Sequence, residues 1–188
     1  QITRDTLETK IEINLTLEGT GKNTINSGIG FFDHILEALA FYAGFDLSLN
    51  CRGDLEVDSH HSMEDIGICL GAALQKALGD KKGIQRFAST ITPMDESLVL
   101  VAIDISNRPI LVENLCFKNE RLGTMETENI KEFLRAFVLS AGITLHIDLL
   151  RGENDHHKAE ALFKGLGRAL RTSCSLVGVG VVSTKGVL

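Results

Sequence analysis

The sequence predicts a mixed α+β fold made by tandem duplication, with helices covering one face of a sheet. Three observations carry this. Asp58-Ser59-His60-His61-Ser62-Met63-Glu64 returns 96 residues later as Asn154-Asp155-His156-His157-Lys158-Ala159-Glu160. Past these units Leu70-Gly71 aligns with Leu166-Gly167, and Leu74 with Leu170. Strand-period and helix-period segments also recur in the same order in both halves. No low-complexity linker separates the halves, so the chain reads as one unit made of repeats at about 1–84 and 85–188.

In order along the chain, Ile11, Ile13, Leu15 and Leu17 alternate with polar residues, the period of a half-buried strand. Gly19-Thr20-Gly21 turns the chain. Gly28-Ile29-Gly30 opens a segment over 31–42 whose apolar residues recur at helical spacing. Leu47, Leu49 and Cys51 mark another strand, and after the first histidine unit Ile66, Leu70, Leu74 and Leu78 carry a helix down to Gly79. In the second half, residues 98–105 form a β-branched strand, 129–140 a helix, 143–150 a strand and 157–172 the second histidine-bearing helix.

Length and composition bound the function. A chain of 188 residues can bury roughly 70% of its unfolded surface. The hydrophobic share of 44% and the charged share of 23% are ordinary for a globular protein. A net charge of -6 argues against a nucleic-acid partner, and an anionic substrate would need a local cluster of Lys and Arg. Cys51, Cys69, Cys116 and Cys174 are widely spaced, without a CxxC pair, which fits a reducing cytoplasm and small core residues. No apolar run approaches the roughly 18 residues of a membrane span, and no signal peptide is visible. The chain opens on Gln1, so it reads as starting inside a longer reading frame.

Each HHxxE unit places two imidazoles and a carboxylate within one helical turn. That is a ligand set for divalent transition metals, and finding it at equivalent repeat positions favours metal binding over helix capping or a solvated face. The repeat points to further ligands. His34 lies 26 residues before His60; its counterpart, 24 residues before His156, is Glu132. His146 competes for this role, but it falls on a strand ten residues before His156, so Glu132 is favoured and His146 reads as structural or supporting. The expected set is His34, His60, His61, Glu64, Glu132, His156, His157 and Glu160, enough for two metal ions with open positions. Adjacent helical residues point about 100° apart, so His60 and His61 should serve different ions. The donor atoms alone leave Mn, Fe, Co, Ni and Zn open.

Several separate motifs then carry a resemblance. They are Arg4-Asp5-Thr6-Leu7-Glu8-Thr9, Gly28-Ile29-Gly30-Phe31-Phe32-Asp33-His34, and Gly53-Asp54-Leu55 running into the first histidine unit. Ser106-Asn107-Arg108-Pro109, the second histidine unit through Phe163-Lys164, and the ending Ser183-Thr184-Lys185-Gly186-Val187-Leu188 complete them. Together and in this order they resemble the imidazoleglycerol-phosphate dehydratases of histidine biosynthesis over nearly the whole chain.

The resemblance implies a duplicated βαββα-type half, two Mn2+ per site, and a homo-oligomer of 24 subunits with sites at subunit contacts. It implies dehydration of imidazole glycerol phosphate to imidazole acetol phosphate. It makes Glu8 the acid/base carboxylate, where local sequence alone reads a solvated strand residue. It makes Arg86, Arg108, Lys164, Ser183, Thr184 and Lys185 the phosphate-binding set. Lys164 has independent support, standing four residues after Glu160 on the same helix face. Many members carry histidine at the place of Glu132, and proline at the place of Val182, where valine should loosen the terminal loop. Two other classes compete: a dinuclear metallohydrolase of phosphate esters, and a non-catalytic metal-storage or metal-sensing protein.

Overall fold

The structure, a computed structural model, describes residues 1–186. Its first half runs β1 (Ile2–Asp5), β2 (Thr9–Thr16), β3 (Asn23–Asn26), α1 (Gly30–Ala43), β4 (Asp46–Gly53) and α2 (His60–Leu78). The second runs β5 (Phe87–Met94), β6 (Ser97–Asp104), β7 (Ile110–Glu113), a small hairpin of β8 (Arg121–Leu122) and β9 (Met125–Glu126), α3 (Asn129–Ala141), β10 (Thr144–Arg151) and α4 (Asp155–Cys174).

The sheets are ordered β1-β2-β4-β3 and β5-β6-β10-β7, the same topology twice. In each, the first three strands are antiparallel and the fourth is parallel to its neighbour, reached by a helical crossover. Each half therefore reads β-β-β-α-β-α, and the β8–β9 hairpin is an insertion peculiar to the second. The mixed class and the duplication are as the sequence predicts, while each half has two strands ahead of the βαβα run instead of the βαββα order that the resemblance implies.

Alternation explains how each sheet seats its helices. Ile11 and Ile13 of β2 and Leu47, Leu49 and Cys51 of β4 are buried, while Lys10, Glu12, Ser48, Asn50 and Arg52 face outward. α1 and α2 pack on the first sheet and α3 and α4 on the second. The helices then pack across the halves, α2 on α3 and α1 on α4. The result is four layers, sheet, helices, helices and sheet, with Phe32, Phe133, Phe137 and Phe163 buried between them.

Close approach requires glycine at the crossings. A Cβ on Gly67 would stand 2.6 Å from the Phe133 carbonyl oxygen, one on Gly71 2.5 Å from that of Phe137, and one on Gly167 2.5 Å from that of Leu39. The shared Leu-Gly pairs of the two histidine helices are thus where each meets its partner. α1 and α3 end alike, on Gly44 and Gly142 in the left-handed region at φ 69° and 67°.

The cysteines divide. Cys51 and Cys69 are core residues, and burial pushes both thiols up to about 11. Cys116 is exposed after β7, and Cys174 is half-buried at the end of α4, so neither is a core residue of the kind expected.

Candidate metal centre and anion cleft

The second HHxxE unit sits at the start of α4. Asn154 caps that helix, its Oδ1 accepting from the backbone N–H of His156 at 2.9 Å and of His157 at 3.4 Å. The first turn is thereby fixed, and the His156 and Glu160 side chains come together over one helical repeat. His156 Nε2 lies 3.0 Å from Glu160 Oε1, and His34 Nε2, from α1, lies 2.7 Å from the same oxygen. Among the described residues these three are the one group of His, Cys, Asp or Glu donors lying within 4.8 Å of each other. Ligand atoms about 2.1 Å from a shared cation lie roughly 3 Å apart, so the spacing and the N/O donor chemistry fit a divalent transition metal. Burial opposes ionisation of Glu160, but hydrogen bonds from Lys164, His34 and His156 outweigh it and hold the carboxyl down to about 2. Lys164 Nζ donates to Glu160 Oε2 at 2.5 Å, the one-turn neighbour relation expected from the sequence.

The first unit is held differently. Asp58 Oδ1 accepts from the His60 backbone N–H at 2.7 Å, and His60 Nδ1 lies 3.2 Å from Asn129 Oδ1. His60 Nε2 is 3.8 Å from Glu64 Oε2. Ser59 ties this end of α2 to the inserted hairpin, donating to the Glu126 carboxylate and accepting from Asn129 Nδ2. Glu132 stands on the first turn of α3, at the place His34 takes on α1, with Arg135 Nη1 2.6 Å from its Oε1. It is not part of the His34–His156–Glu160 group.

The second histidine of each unit is oriented by a carboxylate. His61 Nδ1 meets Asp54 Oδ2 at 2.9 Å, and His157 Nδ1 meets Glu96 Oε2 at 2.7 Å. A carboxylate only accepts, so each Nδ1 carries the proton and each Nε2 is left as a lone-pair donor. The hydrogen bond to Asp54 raises the His61 pKa, and that to Glu96 raises the His157 pKa. Glu8 Oε1 lies 3.7 Å from His61 Nε2, and Asp95 Oδ2 lies 3.5 Å from His157 Nε2.

His146 is not part of the His34–His156–Glu160 group. Its strand neighbours Leu145 and Ile147 point into the helix layer, which sends its own side chain to the outer face of the second sheet.

Most of the expected phosphate-binding set meets in one place. Arg86, Arg108, Ser183, Thr184 and Lys185 line an open cleft of about 1070 Å³, together with Phe87, Ser106 and Val182. Arg86 is buried and uses three of its five N–H donors within the protein. Its Nε and Nη2 donate to the two oxygens of Asp104 at 2.7 and 3.2 Å, and its Nη1 donates to the Val182 carbonyl at 2.6 Å. Arg108, Lys185 and Arg86 against Asp104 leave the cleft net positive. Lys164 is not among the cleft's lining residues; it stands on α4 beside Glu160. Val182 anchors the terminal segment through its carbonyl, a group that proline would also supply.

Sequence reading missed the partners of the second histidines. Glu96 lies 61 residues from His157, with no local spacing to betray it. Asp54 stands seven residues before His61, inside a motif already singled out, and had a signal without a role.

The family model described as imidazoleglycerol-phosphate dehydratase matches residues 27–170. A protein of that name from Clostridioides difficile is 53% identical over 188 residues, spanning 100% of this chain and 98% of its own. The chain belongs to the imidazoleglycerol-phosphate dehydratase family. A dehydratase from Carboxydothermus hydrogenoformans is likewise 53% identical over 188 residues, spanning 100% of this chain and 98% of its own. Among solved structures, the dehydratase of Pyrococcus furiosus, determined with a bound ligand, is 41% identical with a TM-score of 0.87 and 100% of both chains covered. That of Staphylococcus aureus is 39% identical, with a TM-score of 0.83 over 94% of this chain and 98% of its own. The dehydratase family match at 27–170 contains both histidine units, His34, Glu132 and Lys164, whereas Glu8, Ser183, Thr184 and Lys185 are spanned by the full-length relatives.

Proposed function

We propose that the protein is a hydro-lyase of histidine biosynthesis that dehydrates imidazole glycerol phosphate to imidazole acetol phosphate with two Mn2+ ions. The observation that carries the reading is that a chain of this family holds both a His34–His156–Glu160 donor group, at the start of α4, and a cation-lined cleft, near the end of α4 where the Arg86 N–H meets the Ser173 carbonyl. The reaction breaks a C–O bond beside the imidazole, removes a proton from the next carbon and releases water, with no net redox change. One ion would be held by His34, His156 and Glu160; His60, His61, Glu64, Glu132 and His157 are the further donors. Bound metal supplies a Lewis acid for the ring and a template that orients it.

The remaining work falls to the chain. Glu8, close to His61, is the carboxylate that moves protons at the reacting carbons. Arg86, Arg108, Lys185, Ser183 and Thr184 take the phosphate, with Lys164 as a further cation at the metal end. Only three of the expected donors gather within one copy, which supports sites completed by a second copy in a homo-oligomer, 24 subunits by family resemblance. A cytoplasmic place of work is part of this proposal; among the described residues no helix is long and apolar enough to cross a membrane.

The test is imidazole glycerol phosphate given to the chelator-stripped protein with and without Mn2+. Ketone product that depends on added Mn2+ is expected. Phosphate release would instead mark a metallohydrolase, and loading without turnover a storage protein. Glu8→Gln should keep Mn2+ binding and lose about 100-fold or more in turnover.

A further inference from the structure

We infer that Asp65 is a positioning residue for Glu8, locking the turn that carries Glu8 onto the helix that carries His60, His61 and Glu64. The inference rests on Glu8 being the proton-transfer carboxylate. Consecutive helical residues diverge by about 100°. Glu64 therefore looks out toward His60, while Asp65 looks inward at the first sheet and is buried.

Asp65 there grips both strands that flank the turn. Thr9 Oγ1, at the start of β2, donates to its Oδ2 at 2.5 Å. Arg4 Nε, on β1, lies 2.9 Å from its Oδ1. The two form an ion pair, and the contact raises the Arg4 pKa. Within the turn, Thr6 Oγ1 accepts from the backbone N–H of Glu8 at 3.2 Å and of Thr9 at 2.9 Å. The Glu8 carbonyl accepts from the Asp54 N–H at 3.1 Å, and Asp54 also orients His61. Glu8 is thus held from two sides by groups that are themselves tied to α2.

Two further observations favour positioning over plain stability. Leu7, at the tip of the turn, is fully exposed, so no apolar packing fixes Glu8 and its placement depends on this polar network. A buried carboxylate is costly unless paired, and an apolar residue of suitable size often serves stability as well. The second half shows that substitution. The offset of 96 that carries His60, His61 and Glu64 onto His156, His157 and Glu160 carries Asp65 onto Ala161, which is buried. The turn of the second half is only Asp95-Glu96, set by Met94 opposite Ser97, and it brings Asp95 to His157 without a counterpart of Asp65; the wider turn that bears Glu8 is the one Asp65 ties down.

The experiment compares Asp65→Asn, Thr9→Val and Thr9→Ser, each also combined with Glu8→Gln, by steady-state kinetics and by calorimetric titration with Mn2+. Asp65→Asn and Thr9→Val should lower kcat by about 10- to 100-fold, with KM and Mn2+ affinity near the parent values. Thr9→Ser, which keeps the hydroxyl, should recover most of the rate. In the Glu8→Gln background neither Asp65→Asn nor Thr9→Val should lower the rate further, because both act through Glu8. Full-rate Asp65→Asn beside a slow Glu8→Gln overturns the positioning role alone, as does an equal loss with and without Glu8. Full-rate Glu8→Gln overturns the reading of Glu8 itself. Should Asp65→Asn fail to fold, Thr9→Val decides, since it leaves the Arg4–Asp65 pair in place.

Discussion

Asp54 and Glu96 do for the two histidine units what the ligands cannot do for themselves. Each holds a proton on Nδ1 of its histidine and leaves Nε2 free to donate. Glu96 does a second task, its Oε1 accepting from the backbone N–H of Glu153 at 3.1 Å and of Asn154 at 2.8 Å. Glu96→Gln keeps one carbonyl oxygen, which can serve the backbone or His157 but not both. Mn2+ affinity, read by calorimetry, should therefore fall about 10-fold while the fold persists. At this scale the sequence shows what is periodic. His156 and Glu160 announce themselves by helical spacing, and the repeat singles out His34 and Glu132. A carboxylate delivered by a distant turn has no such signature.

The helix crossings are the element most sensitive to a single atom. Gly71→Ala would bring a methyl group within 2.5 Å of the Phe137 carbonyl and 2.8 Å of the Ser140 Cβ. Neither backbone can yield without moving α2 off α3, so about 1–3 kcal/mol should be lost, read as a lowered urea midpoint. An alanine at exposed Gly180, which meets nothing nearby, is the control. The four helices and the strands β2, β4, β6 and β10 are all visible in the residue pattern. Besides the short β8–β9 hairpin, the strands that escape it are β1, β3, β5 and β7, and these are the edges of the two four-stranded sheets. An edge strand is covered less completely on both faces, so its alternation is weak. Three of these are also only four residues long, and β5 carries Pro93, which an edge tolerates and a central strand does not.

Across the whole molecule the two sheets differ most on their outer faces. The first presents Lys10, Glu12, Asn14, Asn50 and Arg52; the second exposes Phe87, Ile91, Ile110 and Val112. An apolar sheet face of this kind favours cover by another copy, in keeping with shared sites. If sites are shared, His34→Ala and His60→Ala should each be inactive alone. Co-assembled from denatured mixtures, the two should regain activity in roughly a quarter of randomly formed contacts. Activity that never exceeds the sum of the separate variants would mean that each chain serves only itself. An apolar outer face of this kind was not readable from composition, because exposed apolar residues are common and only their gathering on one sheet distinguishes them.

The pairing of α2 with α3 and of α1 with α4 also bears on how such a chain could arise. Neither half can bury its helix layer alone, since the surface each helix pair needs belongs to the other half. A free half would have to borrow that surface from a second copy of itself. The present chain is what remains when two such borrowers are joined end to end: an ancient dimer written as one polypeptide. Joined in one chain, the halves are free to differ, and they do: one carries the turn with Glu8, the other the β8–β9 hairpin.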